Sequence, residues 1–397
     1  MATRKHLSRF TTHAGETEPL HQNQNQNQRT AHYRNQPQLS RQTFLIRSRL
    51  AFTSIPAFLE KELDQHYISL TMDPSNSHSM GKSSPTALRS LIWEGSIPLC
   101  FMLEPSELPP GSDRGVEAFY TSAPRMSYLS LLVPIVKTNL IGLCLDDNAL
   151  FTLKEENIWF EHASSKVALK WHWPVGLIYD TLLASLPSSS LGLPLQVTVH
   201  LNPVPADKGL LPNSVAVCRE AFMSQIKEAD FVRWGSTRRV TNLRQREAES
   251  LWEGLVEHDF DKFWLVASKL VPIPPSPSSI HSAPMAPSQP SNSAIDRMPD
   301  GNGVRNVPLR VYLPDNIPVI QAQSGPLDEN GRRVTLGAAL VDLAPSLFPE
   351  PSSTSKRRLA RAFIHGVQIP LETELGWLGA VMCCADGWVA VVIHLGP

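Results

Sequence analysis

The sequence has few of the features on which secreted proteins and thiol enzymes depend. Its 397 residues include five cysteines, and no two of them are spaced as a CxxC pair. The adjacent Cys383 and Cys384 could form a disulfide only with a strained backbone. We therefore expect a reduced protein in the cytoplasm.

Long apolar runs and a large net charge are also missing. The longest apolar stretch, residues 128–145, is interrupted by Pro134, Lys137 and Asn139, so we expect any membrane contact to be peripheral. The net charge of −1 gives no reason to expect a nucleic-acid partner. Residues 1–50 carry eight Lys or Arg against two Glu, a net of +6, so the rest of the chain carries −7. The basic charge is thus concentrated at the start of the chain.

Motifs that bind phosphate or metal are incomplete. The run Gly81-Lys82-Ser83 resembles the end of a phosphate-binding loop, but Asn76 stands where that motif needs glycine. The histidines most open to a catalytic role, His172 and His365, have no metal-ligand spacing to another His or Cys. We predict no metal, no cofactor and no catalysis by this chain alone.

The patterns that are present begin near residue 88. Helix and strand periodicities alternate up to residue 202, as in a mixed α and β domain. The predicted elements are a strand at 96–103, a helix at 128–145 that starts or kinks near Pro134, two strands within 157–173 joined near residues 164 and 165, a helix with Pro174 in its first turn, and a strand at 195–201.

Residues 213–271 show helical patterns only, and Asn213 or Ser214 can cap the first helix. Residues 272–303 are rich in Pro and Ser and read as an exposed, flexible linker. Residues 304–397 then repeat the first architecture. Its predicted elements are strands at 308–313 and 318–323, a helix capped by Thr335, and a closing strand at 388–395.

The first helix of the middle segment presents Lys227. Apolar residues recur on it at three- and four-residue steps, so they form a stripe that packs inward. Lys227 lies roughly 135° from the centre of that stripe, and its amine is expected in solvent. Met223 and Phe231 lie one turn to either side and would flank the amine. The stripe consists of Val215, Cys218, Phe222, Ile226 and Ala229.

Several runs along the chain, taken in order, resemble the autophagy protein 5 family from Leu88 to Pro397. The segment from Phe222 to Asp230 is similar to the family's segment around its conjugated lysine, which corresponds to Lys227. The other matching runs are Trp93 with Ile97-Pro98 and Cys100-Phe101, Pro124-Arg125 with Ser127-Tyr128-Leu129, Ile158 to Glu161, Leu169 to Leu177, Phe260-Asp261 with Phe263-Trp264, and Ile364 to Val367 with Leu371-Glu372-Thr373.

The resemblance implies an α+β fold in which two ubiquitin-like β-grasp domains flank a helix-rich domain. The expected boundaries are 88–202 for the first ubiquitin-like domain with an N-terminal helix, 213–271 for the helix-rich domain and 304–397 for the second ubiquitin-like domain. Neither half ends in the Gly-Gly tail of a transferable modifier, so the chain reads as an acceptor.

The resemblance also implies partners. An activating and a conjugating enzyme would join the C-terminal glycine of autophagy protein 12 to Lys227, with Met223 and Phe231 as docking residues for the conjugating enzyme. A groove would bind a helix of autophagy protein 16, and its candidate wall is Trp171, Trp173, Pro174 and Gly176. The conjugate would act like a ligase, promoting transfer of autophagy protein 8 to phosphatidylethanolamine at the preautophagosomal structure. The conjugating enzyme of the autophagy protein 8 system would be its partner in that step.

A lysine amine is almost wholly protonated at neutral pH and must lose a proton before it attacks a thioester. Glu228 and Asp230 would favour the charged amine, so we expect docking of the conjugating enzyme to remove water from it. Two alternatives stay open. One is a non-covalent scaffold in which Lys227 is an ordinary surface lysine, and the other is a thiol enzyme using Cys100 or Cys218.

Residues 1–82 are expected to form a disordered extension, because their polar tract at 22–28 cannot offset the entropy of ordering. The segment superficially resembles an organelle transit peptide. The resemblance to the family does not reach it, so we favour upstream translation, with Met72 or Met80 as the true start.

Overall fold

The computed structural model describes residues 85–110, 112, 118–186, 192–274, 303–315, 317–349 and 359–396. The predicted extension at 1–82 and almost all of the predicted linker at 272–303 lie outside these residues. Within them the chain forms a mixed α and β segment, then a helical segment, then a second mixed segment. The elements of the first part are α1 (Pro85–Trp93), β1 (Ser96–Leu103), β2 (Phe119–Pro124), α2 (Leu129–Val136), α3 (Gly142–Cys144), α4 (Asp147–Thr152), β3 (Trp159–His162), α5 (Val175–Ser185) and β4 (Leu195–His200).

The first sheet has the strand order β2-β1-β4-β3. The first and last strands, β1 and β4, are parallel at its centre, with Leu99 opposite Leu195, while both outer strands are antiparallel to their neighbours. Parallel strands need a crossover, and helices α2 and α5 lie between β1 and β4 along the chain. This is the expected β-grasp arrangement, and the predicted strand at 96–103 is confirmed.

The prediction of two strands within residues 157–173 is half wrong. Only β3 is a strand, and the returning segment touches it through one isolated bridge between Glu161 and Ala168. A turn then ends the pairing, because the N–H of Trp173 bonds back to the carbonyl of Lys170 at 3.0 Å. Pro174 follows that turn and is the N-cap of α5. It therefore lies one position before the first helical residue, and not within the first helical turn as predicted.

The predicted helix at 128–145 is confirmed, and it contains a π-turn. Helix α2 starts at Leu129 with Pro134 inside it, and the π-turn Lys137–Ile141 joins it to α3. Its buried face packs on the first sheet together with that of α5. This first core contains, among others, Leu99, Phe101, Val133, Phe160, Ile178, Leu182 and Val197.

The middle segment forms four helices: α6 (Val215–Trp234), α7 (Arg238–Thr241), α8 (Gln245–Glu257) and α9 (Phe260–Ala267). The helical patterns predicted for residues 213–271 fall on these four helices. Their apolar faces share a second core with the following domain. Buried members of that core from the helices include Phe222, Ile226, Leu251, Leu255 and Phe263.

The elements of the last segment are β5 (Val307–Tyr312), β6 (Ile320–Ser324), α10 (Leu336–Leu343), β7 (Ala360–Ile364), β8 (Val367–Gln368), α11 (Leu375–Val381) and β9 (Val389–Leu395). They repeat the β-grasp topology with the strand order β6-β5-β9-β7-β8. Strands β5 and β9 are parallel at its centre, and Thr335 caps α10 as predicted, accepting from the N–H of Ala338 at 3.2 Å. The sequence reading did not anticipate β2, β7, β8 or α11.

The two ubiquitin-like domains also meet directly. A small apolar cluster joins Leu177 of α5 to Tyr312, Cys384 and Val392 of the second domain. Among the described helices, none is both long enough and apolar enough to span a bilayer.

Candidate functional site

Helix α6 presents Lys227, and local chemistry fixes both of its ends. The hydroxyl of Ser214 accepts a hydrogen bond from the N–H of Val217 at 3.2 Å and caps the first turn. Gly235 ends the helix with φ 71°, a left-handed conformation that glycine adopts without strain. The predicted inward stripe is confirmed. Cys218, Phe222, Ile226 and Ala229 are buried, and Val215 is half-buried.

Lys227 is exposed, and within the described part of the chain nothing bonds to its amine. Helix spacing explains this, because side chains three and four positions away are the ones that reach a lysine. The only acid at those positions is Asp230. It is 1% exposed and accepts a hydrogen bond from the N–H of Val240 at 3.2 Å. Asp230 therefore does not face the amine as the sequence suggested.

Most other lysines in the described ranges are engaged. Five have a carboxylate oxygen within 3.7 Å of Nζ, and Lys170 lies 4.1 Å from the centre of an indole ring. Among those ranges only Lys137 and Lys227 have neither kind of partner. Lys227 is exposed, whereas Lys137 is half-buried at the π-turn. An unpaired and accessible amine is what nucleophilic attack requires.

The two predicted docking residues for the conjugating enzyme differ in exposure. Phe231 is 59% exposed, one turn after Lys227. Met223, one turn before it, is half-buried and packs against the core of the helical domain. Phe231 therefore supplies most of the apolar surface beside the amine, and the docking role of both residues stays a prediction.

The second ubiquitin-like domain holds helix α6 on both sides of Lys227. Arg310 on β5 donates from Nη1 to Oε1 of Gln225 at 2.9 Å and from Nη2 to Oε2 of Glu228 at 3.3 Å. The indole N–H of Trp388 donates to the backbone carbonyl of Gln225 at 3.2 Å. Sequence reasoning missed these contacts. The available signal was an arginine inside a strand that is otherwise mostly apolar.

The turn before β9 packs on the same helix. Arg233 of α6 donates from Nη2 to the carbonyl of Gly387 at 2.6 Å. Gly387 has φ 85°, and a Cβ there would lie 3.1 Å from the Cβ of Ala229. Glycine therefore permits both the turn and its close approach to the helix.

The four residues predicted to line the partner-helix groove do not share one surface: Trp173 and Pro174 lie where the two ubiquitin-like domains meet, whereas Trp171 packs in the core shared with the helical domain. Trp171 is 5% exposed, and Pro174 and Gly176 are buried. Trp173 is half-buried and packs edge-to-face on Tyr312, with ring centres 4.9 Å apart. Of the four, Trp173 carries most of the exposed apolar surface, and the groove stays a prediction.

Gly176 has a structural role within the chain. Its N–H donates to the carbonyl of Arg125 at 2.9 Å, and a Cβ at this position would lie 2.8 Å from the Cβ of Arg125. Arg125 is itself buried and paired with Asp180. A substitution at Gly176 therefore tests the packing of α5 rather than a groove.

The cysteines and histidines weighed as catalytic residues are poorly suited to that role. All five cysteines are buried, and burial raises the pKa of Cys218 to about 11. Burial lowers the pKa of His172 and of His365 to about 4 in each case. A thiol nucleophile needs an accessible thiolate, so this arrangement disfavours the thiol-enzyme hypothesis. In the part of the chain that the structure describes, His, Cys, Asp and Glu form no metal-binding cluster of three.

Family models match three successive parts of the chain. Their descriptions are "Autophagy protein ATG5, UblA domain" for residues 92–201, "Autophagy protein ATG5, alpha-helical bundle region" for residues 215–273, and "Autophagy protein ATG5, UblB domain" for residues 306–393. The three matches follow the order of the first sheet domain, the helices and the second sheet domain.

Whole-length similarities agree with these matches. "Autophagy protein 5" of Penicillium rubens is 27% identical over 326 residues, which cover 78% of this chain and 97% of that protein. "Autophagy protein 5" of Emericella nidulans is 28% identical over 344 residues, covering 80% and 99%. The crystal structure of Kluyveromyces marxianus Atg5 has a TM-score of 0.54 at 18% identity, covering 77% and 98%, and shows the shared fold.

Proposed function

This chain belongs to the autophagy protein 5 family, and on that premise we propose that Lys227 is the acceptor to which autophagy protein 12 is covalently attached. One observation carries the proposal most directly. The segment that resembles the family's conjugated-lysine segment lies in helix α6, where the amine of Lys227 is exposed and, within the described residues, unpaired. Membership of the family makes the chain an autophagy protein built from ubiquitin-like domains.

The reaction needs a nucleophilic amine and an activated acyl group. The nitrogen of Lys227 forms a bond to the carbonyl carbon of the modifier's C-terminal glycine. The bond from that carbon to a cysteine sulfur of the conjugating enzyme breaks, and the sulfur leaves as a thiolate. The amine gives up its extra proton to water before the attack, and the nitrogen loses a second proton, also to water, as the amide forms. The product is an isopeptide bond, and the thioester supplies the driving force.

Loss of that proton is the step that the acceptor must allow. With Asp230 buried and Glu228 bonded to Arg310, neither acid is arranged as a fixed partner of the amine. We propose that the conjugating enzyme covers Phe231 and Met223 and so removes water from the amine, which favours its neutral form. The chemistry of activation and transfer then belongs to the partner enzymes, and this chain is a non-catalytic acceptor.

The wider role follows from the same premise. We propose that the conjugate binds a helix of autophagy protein 16 near Trp173, with Trp171, Pro174 and Gly176 beneath that surface. The assembly then stimulates the transfer of autophagy protein 8 to phosphatidylethanolamine. On this proposal the protein is cytoplasmic and meets the membrane of the preautophagosomal structure peripherally.

Mass spectrometry of the protein from its own cells tests the attachment. We expect a tryptic peptide spanning Lys227 that carries the modifier's C-terminal residues on its side chain. A denaturing gel with reductant should show the same adduct as a shifted band, because an isopeptide bond survives both treatments. A protein that is never shifted, and that co-purifies with the modifier only under native conditions, would support the non-covalent scaffold instead.

Hydrogen exchange tests the groove without any mutation. Adding the partner helix should slow amide exchange across residues 171–177 and leave exchange in α9, on the helical domain, unchanged. Unchanged exchange at 171–177 in the presence of saturating helix would contradict the groove assignment.

A further inference from the structure

The position of a lysine amine on a helix depends on how firmly the helical turn beneath it is held. The side chain of lysine is a flexible four-carbon stem, so the protein controls the amine mainly through the backbone beneath it. Nucleophilic attack is fast when the reacting atoms are held near their productive geometry. Groups that fix this turn of α6 are therefore candidates for a role in attachment.

Three contacts from the second ubiquitin-like domain fall on the two residues that bracket the Ile226–Lys227 pair. Arg310 bonds the side chains of Gln225 and Glu228 at 2.9 and 3.3 Å, and Trp388 bonds the backbone carbonyl of Gln225 at 3.2 Å. The helix is thus held two residues before and one residue after Lys227.

Arg310 is itself held in place. Its guanidinium lies 4.1 Å from the centre of the Trp388 ring, and its Nη1 lies 3.6 Å from Oδ2 of Asp386. Asp386 is 4% exposed and accepts from the N–H of Trp388 at 3.0 Å. The side chain of Arg310 is 14% exposed, against 54% for Glu228. The more immobile partner is therefore the arginine, and the helix is tied to it.

We propose that Arg310 is a positioning residue for attachment at Lys227. Its guanidinium ties Gln225 and Glu228 to the second ubiquitin-like domain and so fixes the helical turn from which the amine attacks. This inference rests on the proposed attachment at Lys227. It gives the second ubiquitin-like domain a direct part in a reaction that takes place on the helical domain.

An arginine suits this role better than a lysine. The planar fork lets one side chain stack on an indole while separate N–H groups bond two different side chains. A lysine there keeps the charge but is a compact point charge on a flexible stem. Arg310→Lys should therefore lose most of the positioning, although it preserves the charge beside Asp386.

The test is a single-turnover transfer from the conjugating enzyme, loaded with autophagy protein 12 as a thioester, to the full-length chain. With Arg310→Lys or Arg310→Met we expect the saturating rate to fall roughly ten-fold. The acceptor concentration giving half-maximal rate should not change, because the surface that docks the enzyme is intact. A loss of stability alone would instead lower the active fraction and leave the rate per folded molecule unchanged.

A variant changed only on helix α6 controls for misfolding of the second ubiquitin-like domain. Gln225→Ala with Glu228→Ala removes the same bonds, while Arg310 keeps its contacts with Asp386 and Trp388. It should slow the saturating step as much as Arg310→Met does, and combining all three changes should add little further loss. Gln321→Ala is the matched control, because it removes the 3.4 Å bond from Nε of Arg310 to Gln321 and spares both contacts with α6.

The outcomes separate this inference from the attachment on which it rests. If the unaltered chain forms no adduct at Lys227, the proposed function fails. If it forms the adduct and the helix-side double variant reacts at an unchanged saturating rate, the positioning role of Arg310 is overturned. The combined variant gives a second criterion. If its fall in saturating rate equals the product of the falls in Arg310→Met and in the double variant, the two sets of changes act independently and the proposal is overturned.

Discussion

Lys227 and Lys137 are the two described lysines without a partner, and they offer a direct comparison at the scale of one residue. Lys227→Arg should abolish the adduct, because a guanidinium keeps the charge and is not an amine nucleophile. The free energy of unfolding should change by less than about 0.5 kcal/mol, as at most exposed positions. A denaturing gel measures the adduct, and a urea titration measures the free energy of unfolding.

Lys137→Arg is the matched control, and its adduct should be undiminished. A Lys227→Arg protein that still gives the full shifted band would contradict the site. An adduct lost equally in both variants would also contradict it, since the loss would then not be specific to position 227.

Gly176 gives a second prediction for a single residue. Gly176→Ala should lower the free energy of unfolding by about 1–3 kcal/mol, the usual cost of inserting atoms into a packed interior. The reason is the 2.8 Å approach that a Cβ would make to the Cβ of Arg125. Gly192→Ala is the control, because no heavy atom lies within 4 Å of a Cβ built there.

Urea unfolding of the two alanine variants measures the effect. Gly192→Ala should stay within about 0.5 kcal/mol of the unaltered chain. Equal stability of the two variants would show that α5 can move away from Arg125. Gly176→Glu should be more destabilised than Gly176→Ala, so loss of partner binding in that variant cannot by itself identify a groove.

At the scale of the element, the start of α6 can be tested through its cap. Ser214→Ala should cost about 1 kcal/mol in the free energy of unfolding, since the N–H of Val217 loses its acceptor. Ser214→Asp keeps an acceptor and should restore most of that stability. Lys227 lies more than three turns further along α6 and is held there by other contacts, so adduct formation should be normal in both variants. A slower transfer in Ser214→Ala would show that the cap controls the whole helix.

The spacing of apolar residues predicted some helices and strands but not others, for identifiable reasons. Helices α5 and α6 have apolar residues at three- and four-residue steps, so the local pattern was sufficient to predict them. Helix α11 contains Gly376 and Gly379, which are poor helix formers. A Cβ at Gly379 would lie 2.8 Å from a methyl carbon of Val307. This helix is set by its packing on β5, which no local pattern records.

At the scale of the whole molecule, buried histidines predict how stability depends on pH. Burial lowers the pKa of His172 and His365 to about 4, below the ordinary 6.5. Between about pH 6.5 and 4 the unfolded chain binds protons that the folded chain does not, so stability falls as pH is lowered through this window. Asp180, Asp230 and Asp386 act in the opposite sense, because burial raises the pKa of each.

His365→Asn isolates one contribution. Asparagine tolerates the left-handed backbone at this position, where φ is 52°, and does not titrate. The loss of unfolding free energy between pH 7 and pH 5 should be smaller in the variant by on the order of 1 kcal/mol. Denaturant titrations at both pH values measure it, and the other groups cancel in the comparison. An unchanged loss would show that His365 takes no part.

The sequence by itself determined the succession of a mixed domain, a helical domain and a second mixed domain. It also determined that Lys227 is exposed and that the apolar stripe of helix α6 packs inward. These features depend on periodicity within one element, which adjacent residues encode completely. The family segment around Lys227 was equally readable, because it is a continuous run.

Only the tertiary structure decided what surrounds that lysine. The contacts that hold its helix join residues 82 and 163 positions apart, as in Arg310 with Glu228 and Trp388 with Gln225. Asp230 turns inward, where its carboxylate accepts a hydrogen bond from the N–H of Val240. The contacts made by Arg310 and Trp388 depend on how separate domains pack, and a local pattern cannot specify a partner so distant along the chain.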